Sequence, residues 1–313
     1  MGKYQDPIAN SKTVRVWETG GGYTMKNRKM RISVLINALW LTTLIFQPVT
    51  LAKGRVEHHL MISRILADAG QPGDRELSVY LPEEYDTLGL AYPVVYAIHG
   101  GSASDDPVLQ SNRLWFAFGD PIPWWDDVPK PLIIVLPSMG RTSRVFETEA
   151  AYLIEEIMPF VEGTYRTLPY REGRAIDGLS RGGVDAFYIA LSHPELFSVV
   201  GGISAGSFNR TPPVRKLLEA HDQEIYPFQF WLAYGLNEGN MTMQNRDLVK
   251  ALEELGFPHA YVEDDSGHFD VGAINQRGFW VLKSISETLS GGVVSVELLD
   301  GIPTAWGYIK DQY

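Results

Sequence analysis

The stretch Arg174-Ala-Ile-Asp-Gly-Leu-Ser-Arg-Gly-Gly-Val-Asp-Ala-Phe187 constrains the fold more than any other part of the chain. It begins as an apolar run of strand type, passes through Gly178-Leu179-Ser180-Arg181-Gly182, and continues as a helical pattern. A strand that turns this sharply into a helix carries its apical serine beyond the sheet edge. The flanking glycines have no Cβ to clash with the turn. The helix that follows points its N–H groups and dipole back at the serine, where an anion would be stabilised. A second match, Gly202-Ile203-Ser204-Ala205-Gly206, tests the pattern. After Ser204 comes Ser207-Phe-Asn-Arg-Thr-Pro-Pro213, which is loop chemistry and cannot start a helix at once. The context therefore favours Ser180 over Ser204 as the nucleophile.

The 313 residues, 45% of them hydrophobic, suffice for one large core or two modest ones. A net charge of −11 argues against nucleic acid or an anionic membrane as the main partner. The absence of cysteine excludes disulfides, thiolate metal sites and a cysteine nucleophile. Met25-Lys-Asn-Arg-Lys-Met-Arg31 is basic, residues 32–46 are largely apolar, and Thr50 and Ala52 stand at −3 and −1 before Lys53. This is the order of a signal peptide. The apolar run is shorter than the ~20 residues a spanning helix needs. Residues 25–52 are thus expected to be a cleaved leader of an exported protein, periplasmic or secreted. The alternative is an uncleaved membrane anchor, with transient membrane association through 32–46. Residues 1–24 are expected to be a non-structural extension upstream of a true start at Met25.

From residue 53 onward strand-type runs alternate with helical patterns, which implies an α/β domain with a mostly parallel sheet over 53–290, followed by a tail at 291–313. Strands are expected at 56–66, 76–81, 93–98, 131–136, 174–179, 197–203, 228–234 and 260–263. Helices are expected at 148–165, 184–192, 241–255 and 272–289. Residues 103–130 form a long aromatic-rich connection that includes Trp124 and Trp125. These two could wall an aryl or sugar group, or simply pack the connection onto the core.

A serine hydroxyl needs a base, and the base needs an orienting acid. Of the seven histidines, His268 lies in the loop after the last short strand. That loop emerges at the same sheet edge as Ser180. His58 and His59 alternate along a strand, His193 precedes a proline, His221 lies in a polar stretch, His259 begins a strand, and His99 ends one before two glycines. The acid should follow the strand at 228–234, where Glu238 is the only carboxylate of Gly235-Leu-Asn-Glu-Gly-Asn240. Asp264 and Asp265 are runners-up and Asp270 a weaker one. A helix N-terminal charge is the structural alternative for Glu238. The amides of Arg181 and Gly101 are the expected oxyanion donors. No cofactor is expected, and no histidine pair has helical spacing for zinc.

Several stretches resemble one family: Val79-Tyr-Leu-Pro-Glu-Glu-Tyr85, Val94-Val-Tyr-Ala-Ile-His-Gly-Gly101, Glu155-Glu-Ile-Met-Pro-Phe-Val-Glu-Gly-Thr-Tyr-Arg-Thr-Leu168, the Ser180 turn, His193-Pro-Glu-Leu-Phe197 and Gly267-His268. They resemble the esterase D-like branch of the α/β-hydrolases, which includes feruloyl and acetyl xylan esterases, S-formylglutathione hydrolase, siderophore esterases and mycolyltransferases. The resemblance implies an α/β-hydrolase fold with helices on both faces of the sheet. It also implies a serine carboxylic ester hydrolase acting through an acyl-enzyme on a small acyl or aryl ester, free or polysaccharide-linked. Acyl transfer of the mycolyltransferase type is an alternative, as is a non-catalytic carbohydrate- or lipid-binding homologue. Two positions depart from the family pattern: the acid is usually aspartate where Glu238 stands, and Arg181 is larger and more charged than the residue that commonly follows the serine.

Overall fold

The computed structural model describes residues 54–101, 131–139, 146–205 and 214–289, with the backbone of two short strands at 14–17 and 294–295. The expected leader at 25–52 and the aromatic connection with Trp124 and Trp125 lie outside the described residues.

In chain order the elements are β1 (Val14–Trp17), β2 (Arg55–Ile62), α1 (Arg64–Asp68), β3 (Asp74–Leu81), α2 (Tyr85–Leu88), β4 (Leu90–Ala91), β5 (Val94–Ile98) and β6 (Ile133–Pro137). Next come α3 (Phe146–Ala151), a π-helical turn (Tyr152–Ile157), α4 (Met158–Thr164), β7 (Arg174–Gly178), α5 (Arg181–Ser192), β8 (Val199–Ile203) and α6 (Val214–Ala220). The chain continues with β9 (Gln229–Gly235), α7 (Asn240–Leu255), β10 (His259–Asp264), α8 (Val271–Thr288) and β11 (Val294–Ser295). Among the described residues nine strands form one sheet in the order β1-β10-β9-β8-β7-β5-β6-β3-β2. The run from β6 through β5, β7, β8 and β9 to β10 is parallel throughout. The strands β1, β2 and β3 pair antiparallel.

Strand β5 shows why the apolar runs are continuous rather than alternating. Val94, Tyr96 and Ile98 enter the core on one face, and Val95 and Ala97 enter the core on the other. Helices cover both faces, so both sets of side chains are removed from water. Phe187 of α5 belongs to the first core, where it stacks on Phe230 at 5.3 Å; Val281, Leu282 and Ile285 of α8 belong to the second.

Some boundaries differ from the sequence reading. The first expected strand ends at Ile62, because Ser63 caps a helix by accepting a hydrogen bond from the Leu66 amide at 3.0 Å. Ile65 and Leu66, which prolong the apolar run, therefore belong to α1. Helix α6 follows Pro212-Pro213 and was hidden by that loop chemistry. Residues 1–24, expected to carry no structure, supply β1, which pairs antiparallel with β10. Its Val-Arg-Val-Trp run alternates as a strand does, but four residues are too few for periodicity to register.

Candidate active site

The parallel order brings the ends of β5, β7, β8, β9 and β10 to one edge. The turn after β7 is pinned there from both sides. The Leu179 amide donates to Ile98 O at 3.0 Å and the Ser180 amide to Ile203 O at 2.8 Å. Ser180 adopts φ 55°, a left-handed conformation that a non-glycine residue holds only when its surroundings impose it. The turn is also tight: a Cβ on Gly178 would sit 2.1 Å from Gly182 O, and one on Gly182 would sit 2.4 Å from the carbonyls of Ile98 and His99. Both positions therefore require glycine.

Ser180 Oγ lies 3.0 Å from His268 Nε2. His268 Nδ1 in turn faces Glu238 Oε2 at 3.4 Å, the long end of the hydrogen-bonding range, where catalytic contacts commonly start before they tighten. The three residues come from the loops after β7, β9 and β10, and the last two loops are laced together. Asn237 donates its amide to Ser266 O at 3.1 Å and its side-chain Nδ2 to Asp265 O at 2.7 Å. His268 is slightly open to solvent while the Glu238 side chain is fully buried.

Glu238 is not a helix-terminal surface charge. Its Oε1 accepts from the Gly235 amide at 3.0 Å, Ser204 Oγ at 2.6 Å and Arg277 Nη1 at 2.5 Å. Burial pushes the carboxyl up. Hydrogen bonds from His268, Ser204 and Gly235, with the Arg277 charge, more than reverse this, so Glu238 lies below the ordinary glutamate range. It is an anion suited to orienting an imidazole.

The alternative acids are engaged elsewhere. Asp264 receives Arg277 Nε and Nη2, each at 2.7 Å. Burial raises its carboxyl, but the Arg277 and Ser266 hydrogen bonds leave it below the ordinary aspartate range. Asp270 caps α8 by accepting from the Ala273 amide at 3.1 Å, and for Asp265 the backbone carbonyl makes the contact to Asn237.

The remaining histidines have other partners. His99 is buried; its Nδ1–H donates to Gly100 O at 2.8 Å and its Nε2 accepts from the Met139 amide at 3.0 Å. Burial pushes this imidazole down, so it stays neutral and braces the strand end. His58 meets Ser78 and His59 meets Tyr165, on opposite faces of β2. His221 bonds to Tyr226 O and His259 to Phe257 O.

The expected oxyanion donors are neighbours: a Cβ built on Gly101 would lie 4.0 Å from Arg181 Cβ. The Arg181 side chain turns toward α3, with Nη2 donating to Glu149 Oε1 at 2.6 Å and Nε 3.6 Å from Asp185 Oδ2. Burial and the charge of Glu149 push the Asp185 carboxyl up. The guanidinium is thus held by Glu149, with the Asp185 carboxyl beside it, on the helix side of the turn.

Sequence reasoning missed two participants. Ser204, read as a decoy, holds φ 50° at the end of β8 and is fully buried against Glu238. Arg277 sits at helical spacing between Ala273, Val281 and Ile285, all buried. An arginine on the apolar stripe of an amphipathic helix is a readable sign of a buried charge partner.

Known proteins are similar to this chain in sequence and in structure. A stretch of 127 residues is 30% identical to Esterase MT1326 of Mycobacterium tuberculosis, covering 37% of this chain and 26% of that protein. A stretch of 146 residues is 29% identical to an endo-1,4-beta-xylanase/feruloyl esterase of Xylanibacter ruminicola, covering 42% of this chain and 19% of that protein. The alignment thus spans about a quarter or less of these relatives' length. Among solved structures, the ferulic acid esterase AmCE1/Fae1A of Anaeromyces mucronatus superposes with a TM-score of 0.60 at 22% identity, over 76% of this chain and 92% of that one. That likeness establishes the α/β-hydrolase fold. The Esterase family model matches residues 70–255, more than half of the chain, and on that match the chain belongs to the Esterase family.

Proposed function

We propose that the chain is a serine carboxylic ester hydrolase that works through an acyl-enzyme on Ser180. The observation that carries this reading is the relay from Ser180 Oγ to His268 Nε2 at 3.0 Å and from His268 Nδ1 to Glu238 Oε2 at 3.4 Å. With Glu238 ionised, Nδ1 keeps its proton and Nε2 is free to accept the one on Ser180. The freed oxygen attacks the ester carbonyl, and the developing oxyanion meets the amides of Arg181 and Gly101. His268 then gives its proton to the leaving alcohol. Water enters, loses a proton to the same imidazole and attacks the acyl carbon. The acyl–oxygen bond to Ser180 breaks, the acid leaves, and His268 returns the proton to Ser180 Oγ.

An aryl or small acyl ester is the substrate class we favour, since feruloyl esterases are among the relatives in both sequence and structure. The basic and apolar pattern of residues 25–52 supports export. Among the described residues no helix is long and apolar enough to cross a membrane. Replacing Ser180 by Ala should lower the turnover of p-nitrophenyl acetate by about 10⁵- to 10⁶-fold with the fold intact. Retained turnover in that variant would exclude the mechanism.

A further inference from the structure

The two oxygens of Glu238 have different surroundings. Oε2 faces His268. Oε1 accepts from three donors: the Gly235 amide, Ser204 Oγ and Arg277 Nη1. These three donors occupy the roughly two lone-pair directions of that oxygen in full, so the carboxylate cannot rotate to exchange its oxygens without breaking all three contacts. We propose that Ser204 and Arg277 are positioning residues that clamp Oε1 of Glu238 and so leave Oε2 to orient His268, with Asp264 anchoring the guanidinium. The proposal rests on the reading of Glu238 as the acid of the hydrolase.

Three observations support it. First, Arg277 is fixed at both ends: Nε and Nη2 form a fork on Asp264 at 2.7 Å each, which aims Nη1 at Glu238. Ser266 Oγ also accepts from Nη2, and the arginine is almost wholly buried. Second, Ser204 is a buried non-glycine residue at φ 50°. Its amide bonds to Ala233 O at 2.7 Å, and Arg277 Nη1 donates to its Oγ at 2.9 Å, which directs the hydroxyl proton to Glu238. A strained backbone is retained where the surroundings and a specific contact require it. Third, the charges balance during the reaction. Glu238, Asp264 and Arg277 sum to one negative charge, which matches the imidazolium that forms on His268. The clamp also gives a reason for glutamate where aspartate is usual. An aspartate would be shorter by one carbon–carbon bond, about 1.5 Å, and could not meet both the clamp and the imidazole.

The test is a mutant cycle on p-nitrophenyl acetate, with kcat and KM measured separately. Arg277→Met should lower kcat about 10²-fold and move KM less than about twofold, because a misaligned imidazole affects the transition state and not substrate binding. In a Glu238→Gln background the same change should cost less than about threefold, since its effect passes through Glu238. Arg277→Lys should recover part of the loss, as it brings a cation but cannot fork onto Asp264 and reach Glu238 together. Equal losses in both backgrounds, or a loss confined to KM, would overturn the proposal. Should thermal melts show Arg277→Met unfolded, Asp264→Asn decides, because it retains both Arg277 and Glu238 and weakens only the fork that aims the guanidinium. It should lower kcat about tenfold at constant KM, and only when Glu238 is present. Full kcat in Asp264→Asn or Arg277→Met, with Ser180→Ala inactive, defeats the clamp and spares the hydrolase. An active Ser180→Ala defeats the hydrolase reading itself.

Discussion

Asp177 and Glu238 are carboxyls with equally buried side chains that are pushed in opposite directions. Asp177, on β7, receives among the described residues one hydrogen bond, from the Gly178 amide at 2.7 Å. Burial dominates and pushes it up to about 7. Glu238 has four donors around it and is held low. The difference lies in the number of donors each residue meets, which cannot be read from the residues themselves. It also fixes the sign of two pH effects. Glu238 and Asp264 are depressed in the folded state, so they add stability above their ordinary values of 4.5 and 3.8 and lose it as pH falls through the lowered ones. Asp177 is raised, so its contribution is complete below 3.8 and is lost as pH climbs toward about 7. Over that window the loss is on the order of 4 kcal/mol. The thermal midpoint should therefore fall between about pH 4 and pH 7, and it should fall less in Asp177→Asn. Melts of the two proteins with parallel pH dependence would contradict the assignment.

At the scale of elements, the turn between β7 and α5 depends on close backbone approach. Gly182→Ala would drive a methyl group into the carbonyls of Ile98 and His99. It should destabilise the protein by about 3 kcal/mol. Gly163, inside α4, meets none of the described residues within 4 Å of an added Cβ, and Gly163→Ala should instead stabilise by about 0.5–1 kcal/mol. Thermal melts of the pair check both signs, and a benign Gly182→Ala would mean that the turn is looser than described. Local patterns made β5, β7, α5 and β8 readable, because buried parallel strands leave continuous apolar runs and helices leave periodic ones. Helix α1 was lost because its two apolar residues extend the preceding run, and Ser63 ends the strand only by capping the helix. The π-helical turn at Tyr152–Ile157 leaves no periodic signature of its own within the helical pattern around it.

At the scale of the whole molecule, the parallel sheet converts chain order into geometry. Ser180, Glu238 and His268 are 58 and 30 residues apart in sequence, yet they meet because the loops after β7, β9 and β10 share one edge. That is why their meeting could be read from order and loop position. What surrounds Glu238 was not, since Ser204 and Arg277 reach it from β8 and α8 through pairings that no local pattern specifies. The two Gly-x-Ser-x-Gly serines now have distinct places: Ser180 faces the imidazole, and Ser204 is buried behind the carboxylate. A fluorophosphonate probe that phosphonylates activated serines, followed by peptide mass mapping, separates these roles directly. We predict one adduct, on Ser180, absent when His268 is replaced by Ala. An adduct on Ser204, or none on Ser180 in the folded protein, would contradict the account.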